Sequence, residues 1–259
     1  MNLTDTHCHL TSSALADQAD AVIDRAIAAG VRRLITVGTD LADSQAALAL
    51  ARRRSELRMT AGIHPHEAAK ASPTDVEALA TIWAEPVCVG AGEIGLDYHY
   101  DFSPRAVQQD LFARQLDAAA AAELPVVVHS REAFDDTIRI LERCGLARRR
   151  VVFHCFGGSA DEAAAVAERG WRISLTGVVT FKRSTELQAI AAALPADGLL
   201  LETDAPYLSP EPVRHVRPNE PANLVHTARF LAKLRGETVQ SIAEASTANA
   251  AAFFRWPLA

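Results

Sequence analysis

The strongest constraint on this chain's fold is a strict alternation of short apolar runs with longer alanine-rich stretches, kept up over nearly its whole length. Runs rich in β-branched residues occupy 2–7, 31–38, 57–64, 87–93, 125–129, 151–155, 171–176 and 199–203. Several, such as PVVVH and GLLLE, are apolar at almost every position. That is the pattern of parallel strands covered on both faces. Helical periodicity fills the gaps at 17–29, 41–54, 132–143, 159–169 and 184–193. Two further helices open at Ser72 with Pro73 and at Ser103 with Pro104, and two more, at 221–235 and 238–253, follow the last run. Proline suits a first helical turn, Asp40 is an N-cap type, and Gly30 sits where a C′ glycine belongs. Eight strands, each followed by a helix, predict an α/β fold: a (β/α)8 TIM-like barrel, in a single domain spanning 1–259. An open doubly wound sheet would alternate too. However, no glycine-rich phosphate turn follows the first run, and polar residues close runs throughout the chain, as they do where strand ends converge on one mouth.

Composition narrows the function classes. The chain is 49% hydrophobic and 22% charged, which excludes disorder. No apolar run approaches the roughly 18 residues of a membrane helix, and the N-terminus lacks a basic and apolar leader pattern. The formal net charge of −6 argues against a broad basic nucleic-acid surface. It leaves room for a nucleic-acid enzyme whose cations sit at the active site. The four cysteines show no CxxC and no framework spacing, so the expectation is a reduced, cytoplasmic chain without disulfides.

The chemistry-bearing residues stand at run ends. His7 and His9 form an H-x-H pair at the end of the first run. Residues i and i+2 of a strand share a face, and two imidazoles side by side suit a divalent metal. Cys8, between them, faces the other way as a packed thiol. Glu93 closes the fourth run, His129 the fifth, His154 the sixth, and Asp204 follows the eighth. Each polar group terminates an apolar run, where it is costly unless it has a partner. Four histidines and two carboxylates at one mouth are ligands for two metal ions. His7, His9 and Asp204 are expected to hold one ion and His129 and His154 the second, with Glu93 bridging. Two such ions clamp the attacking and leaving oxygens of a displacement and acidify a water. Imidazole and carboxylate ligands fit Mg, Mn, Zn, Ni or Co alike.

A second H-x-H, His64-Pro65-His66, follows the third run. One or both rings are expected to contact a substrate phosphate. Arg52 to Arg54 and Arg148 to Arg150 precede strands and read as solvated helix-end charges. Arg131, Lys182, Arg183, Arg214 and Arg217 follow strands and would ring the mouth, where a polyanion could be held. The stretch 205–221 contains five prolines and reads as a rigid active-site wall. Within it, Asn219 and Glu220 either hydrogen-bond substrate or hold the wall, and Asn219 is counted among the substrate-binding candidates.

These residues, in this order, resemble the TatD-type metal-dependent hydrolases of the amidohydrolase-like superfamily. The segments that carry the resemblance are DTHCHL, GIHPHEA, GEIGLDYHYDFSPR, PVVVHSREA, HCFGGS, ETDAPYL and NEPANL. The resemblance implies a TIM-like barrel, two divalent metals and hydrolysis of phosphodiester bonds, with members acting as deoxyribonucleases, often 3′→5′ exonucleases on single strands. Carried over residue by residue, it implies His7, His9, Glu93, His129, His154 and Asp204 as metal ligands. The family commonly reads G-K-R-N-E-P after ETDAPYL. Here Arg217 is displaced by one position and Pro218 takes its place. Because Glu93 ends the fourth run rather than lysine, a carbamylated-lysine bridge is not expected.

The expectation is a cytoplasmic metal-dependent phosphodiesterase, a single-stranded DNA nuclease. Glu93 and Asp204 are its catalytic carboxylates, with Asp204 orienting the nucleophile or taking its proton. His64, His66, Arg131, Arg217 and Asn219 contact substrate. The rival readings are an esterase on another substrate such as an aminoacyl-tRNA ester, a small phosphoester hydrolase, and a non-enzymatic metal-binding protein. The sequence leaves metal identity, exonuclease polarity and oligomeric state open.

Overall fold

The computed structural model describes residues 1–257. Eight strands alternate with helices: β1 (Leu3–Cys8), β2 (Val31–Val37), β3 (Leu57–Ala61), β4 (Cys88–Asp97), β5 (Val126–Arg131), β6 (Val151–Phe153), β7 (Arg172–Leu175) and β8 (Leu199–Leu201). The helices are α1 (Ala19–Ala29), α2 (Leu41–Arg53), α3 (Asp75–Trp83), α4 (Arg105–Ala121), α5 (Phe134–Arg143), α6 (Ala160–Glu168), α7 (Thr185–Ala193), α8 (Leu224–Arg235) and α9 (Val239–Phe253). The strands form one sheet in sequential order from β1 to β8. The architecture is the expected (β/α)8 barrel. Among the described residues, no helix is long and apolar enough to cross a membrane.

The chain divides into two compact units, one holding β1, β2, β7 and β8 and the other β3 to β6. In the first, β1 pairs with β2 and β7 with β8, all parallel. The end of β1 meets the segment after β8 through a parallel bridge between Cys8 and Ala205. There Asp204 N–H donates to His7 O at 2.9 Å and His9 N–H to Ala205 O at 2.7 Å. In the second unit β3, β4, β5 and β6 pair in parallel order.

Local rules explain the elements. Asp40 caps α2 by accepting from Asp43 N–H at 2.7 Å, one of the orphan donors of a helix start. Gly30 closes α1 at φ +101°, a left-handed conformation that glycine adopts without a Cβ penalty. The strands are buried along most of their length, all ten residues of β4 included. Leu3, Leu34, Ile35 and Leu200 fill the core of the first unit and Met59, Ile94, Val126 and Val128 that of the second.

Most boundaries lie within one or two residues of those expected. Two differ in a way that matters. The fourth run is expected to stop at the polar Glu93, yet β4 runs on to Asp97, because a glycine two residues further on allows close strand contact. A Cβ on Gly95, at φ +148°, would collide with His129 O of β5, so only glycine lets β4 continue there. The third strand ends at Ala61 rather than 64, because a short helical turn over Pro65–Glu67 begins once His64 caps it.

Candidate functional site

In the first unit, β1 and the segment after β8 place three donors together. His7 Nε2 and His9 Nε2 are 3.2 Å apart. Asp204 Oδ1 stands 3.3 Å from His9 Nε2 and 3.8 Å from His7 Nε2. All three residues are buried. Asp204 has φ +55°, a left-handed conformation more open to aspartate than to most residues. Cys8, between the two histidines, sends its thiol the other way, to Ile35 O at 3.4 Å, and burial pushes that thiol well above its usual range.

Asp5 organises this group from beneath. Its carboxylate accepts from His7 N–H at 3.2 Å, Thr203 N–H at 3.0 Å and Thr203 Oγ1 at 2.6 Å. Burial raises its pKa to about 7 against the opposing pull of these hydrogen bonds. Asp5 therefore joins the backbone that carries His7 to the backbone that carries Asp204.

In the second unit three imidazoles converge on one carboxylate oxygen. Glu93 Oε1 is 2.7 Å from His129 Nδ1, 2.7 Å from His154 Nε2 and 3.4 Å from His64 Nε2. His129 Nδ1 and His154 Nε2 are 3.3 Å apart. Burial alone would push the Glu93 carboxyl up, but the imidazoles of His154, His64 and His129 reverse this and hold it well below the usual carboxylate range.

Hydrogen-bond directions sort the rings. Asp97 Oδ2 lies 3.0 Å from both His129 Nε2 and His66 Nε2. An ionised carboxylate only accepts, so it draws the proton to His129 Nε2 and leaves the Nδ1 lone pair facing Glu93. Two acceptors 2.7 Å apart need a proton or a cation between them. His64 is the opposite case. Its Nδ1 accepts from His66 N–H at 3.1 Å, so a neutral ring carries its proton on Nε2. Burial lowers its pKa to about 4, which keeps the ring neutral at physiological pH. His64 is thus an N–H donor suited to an oxyanion, within reach of the ligand group.

The donor chemistry of both groups fits a divalent metal. Metal–nitrogen bonds of about 2.0–2.1 Å in tetrahedral geometry place ligand atoms about 3.3 Å apart, and the observed nitrogen spacings are 3.2 and 3.3 Å. His7, His9 and Asp204 form one candidate set; His64, Glu93 and His129 lie at the same spacing, but with its proton on Nε2 the His64 ring offers no lone pair, and His154, which shares the Glu93 oxygen, completes the second set.

The other expected contacts divide. His66 is part-buried beside Asp97. Arg131 is exposed, its guanidinium 4.8 Å from the centre of the Tyr100 ring. Arg217 is exposed in the proline-rich stretch, and Arg214 lies over Phe181 at 3.9 Å. Asn219 is corrected from substrate contact to wall support. It is fully buried, donates to Tyr207 O at 2.6 Å and Thr203 O at 3.2 Å, and accepts from Glu220 N–H and Asn223 Nδ2, both at 2.9 Å. Glu220 pairs with Arg25 at 2.7 Å. Sequence reasoning missed Asp5 and Asp97, although each shares strand parity with a ligand: Asp5 with His7 and His9, Asp97 with Glu93.

The model of the family described as TatD related DNase matches residues 4–255. The chain belongs to this family. The TatD-family protein "3′-5′ ssDNA/RNA exonuclease TatD" of Salmonella typhimurium is 39% identical over 254 residues, covering 96% of this chain and 98% of that protein. The "Uncharacterized metal-dependent hydrolase YabD" of Bacillus subtilis is 34% identical, with 98% and 99% covered. Among solved structures, YJJV, a TatD homolog from Escherichia coli K12, superposes with a TM-score of 0.92 at 33% identity, covering 98% of each chain. This TatD-family chain is a metal-dependent hydrolase acting on ester bonds, and its ligand groups support the use of divalent metal.

Proposed function

We propose that the chain is a 3′→5′ exonuclease that hydrolyses phosphodiester bonds of single-stranded DNA, with two divalent ions from among Mg, Mn and Zn. The observation that carries this reading is the convergence of imidazole nitrogens and carboxylates at ligand spacing in each unit. The 39% identity to a protein named as a single-strand exonuclease supports it. His7, His9 and Asp204 would hold one ion, and Glu93, His129 and His154 the other. Bound there, divalent ions acidify water to a nucleophile at neutral pH and stabilise charge on phosphoryl oxygens.

The chain's own groups do the rest. Asp97 fixes the His129 tautomer. Asp5 fixes the backbone on which His7 and Asp204 stand. His64 donates its Nε2–H to a non-bridging phosphate oxygen, a charge-assisted bond. Asp204 orients the attacking water and takes its proton. His66 and the exposed Arg131 and Arg217 contribute contacts to the polyanion. The chain acts as one hydrolase domain, consistent with a family match over nearly all of it, and works in the cytoplasm, where thiols such as buried Cys8 and Cys88 stay reduced.

The test uses 5′-labelled single-stranded DNA, with the protein stripped of metal and then reloaded with Mg, Mn or Zn singly. A ladder shortening from the 3′ end, blocked by a 3′-phosphorothioate linkage and absent in Glu93→Gln, is the expected result. Cleavage of aminoacyl esters with no cleavage of DNA or RNA under any metal would overturn the reading.

A further inference from the structure

Two aromatic rings in the loop after β4 stand open to solvent. Tyr100 is 48% exposed and Phe102 is 66% exposed. They stack on one another, with ring centres 5.2 Å apart and planes 21° from parallel. A single exposed apolar side chain is ordinary, but two exposed rings stacked on one another make a contiguous aromatic surface, and contiguous apolar surface marks binding sites. His66 backs both rings edge-on, 4.8 Å from Phe102 and 5.5 Å from Tyr100. The same His66 reaches Asp97 at 3.0 Å, and Asp97 reaches His129 at 3.0 Å. The stack is therefore continuous, through two side chains, with a residue of the ligand group. Arg131 lays its guanidinium 4.8 Å from the Tyr100 ring centre, putting a cation beside the aromatic faces.

We infer that Tyr100 and Phe102 form a stacking platform for one nucleobase of the substrate strand, with Arg131 holding the adjoining phosphate. This deepens the exonuclease reading and rests on it. An aromatic face beside a cation is how proteins hold single strands without reading sequence. A small exposed stack suffices for one base, whereas a stable protein interface needs about 800 Å² per partner. The platform makes the terminal base, rather than the phosphate alone, part of recognition. It lets any base enter, because every base has a π-face.

The experiment measures binding without cleavage. Metal-loaded protein is titrated into fluorescent phosphorothioate oligodeoxynucleotides that carry either ordinary bases or abasic residues at the 3′ end, and anisotropy gives the affinity ratio. Wild type should bind the base-bearing strand roughly tenfold or more tightly than the abasic one. Tyr100→Ala with Phe102→Ala should bring that ratio close to one, and Phe102→Trp, which keeps a ring, should preserve it. A wild-type ratio of one, or an unchanged ratio in the double alanine variant, overturns the platform. Because this readout needs no turnover, a base-dependent ratio in a protein that cleaves no DNA keeps the platform and sinks the exonuclease reading. Cleavage with an unchanged ratio does the reverse.

Discussion

Asp97 Oδ2 lies 3.0 Å from His129 Nε2, on the far side of the imidazole from Glu93. One carboxylate thereby sets which nitrogen of His129 carries a proton and which offers a lone pair. Partners of this kind orient ligands and raise their basicity. Burial alone would push the Asp97 carboxyl up, but His129, the Tyr100 N–H and His66 hold it well below its usual range.

Replacing Asp97 by Asn keeps the shape and removes the charge. Both rings meet Oδ2, while Oδ1 accepts from His99 N–H and Tyr100 N–H, so the single oxygen of the amide can serve one of these pairs and not the other. Metal affinity of the second unit should fall about 10- to 100-fold, read as a rightward shift in metal-activation curves. Unchanged curves would mean that Asp97 does not act on His129.

Asp5→Ala leaves three donors, His7 N–H, Thr203 N–H and Thr203 Oγ1, without their acceptor in a buried setting. An unsatisfied buried donor costs about 1–3 kcal/mol. Urea unfolding of the variant should show a loss of about 3 kcal/mol or more. Asp5→Asn, which keeps an acceptor, should lose less. Equal losses would show that charge rather than hydrogen bonding matters.

Gly95→Ala places a methyl against His129 O in backbone that disfavours side chains. The strand must shift, and His129 with it. Both stability and metal binding should drop, whereas Gly145→Ala, where a Cβ meets nothing within 4 Å, should cost only its left-handed backbone. Full metal binding in Gly95→Ala would contradict the tight β4–β5 approach.

The Cys88 thiol gives a pH signature away from the site. Burial pushes its pKa from 9.0 up to about 12. The unfolded chain releases this proton first, so the folded state binds more protons between pH 9 and 12. Stability is complete below pH 9 and falls across that window, by up to about 4 kcal/mol from this group. Comparing urea midpoints of wild type and Cys88→Ala from pH 8 to 11 should show a steeper fall in wild type. Parallel curves would refute the burial effect.

How far the sequence revealed the site follows from strand physics. His7, His129 and His154 were legible because an imidazole at the end of an apolar run is out of place unless it has work to do. Asp97 was not legible, because a polar residue such as Glu93 reads as the end of an apolar run, and Gly95 shows its use only where β5 is pressed against it. Asp5 was hidden inside a run read as core, since its partners Thr203 and His7 meet only when the chain folds. Asn219 misled because a polar residue in a proline-rich wall looks free for substrate, whereas its amide is spent on Thr203, Tyr207, Glu220 and Asn223. The Tyr100–Phe102 stack leaves no periodic trace, as it depends on a loop conformation.

The central claim is that each unit holds one divalent ion and that hydrolysis needs both. The most direct measurement counts bound metal by mass spectrometry in reloaded wild type, His7→Ala with His9→Ala, and His129→Ala with His154→Ala. A model phosphodiester is assayed on the same samples. The account predicts two ions per chain in wild type, one in each double variant, and little turnover in either. One ion in wild type, or full turnover in a variant that has lost an ion, would contradict it.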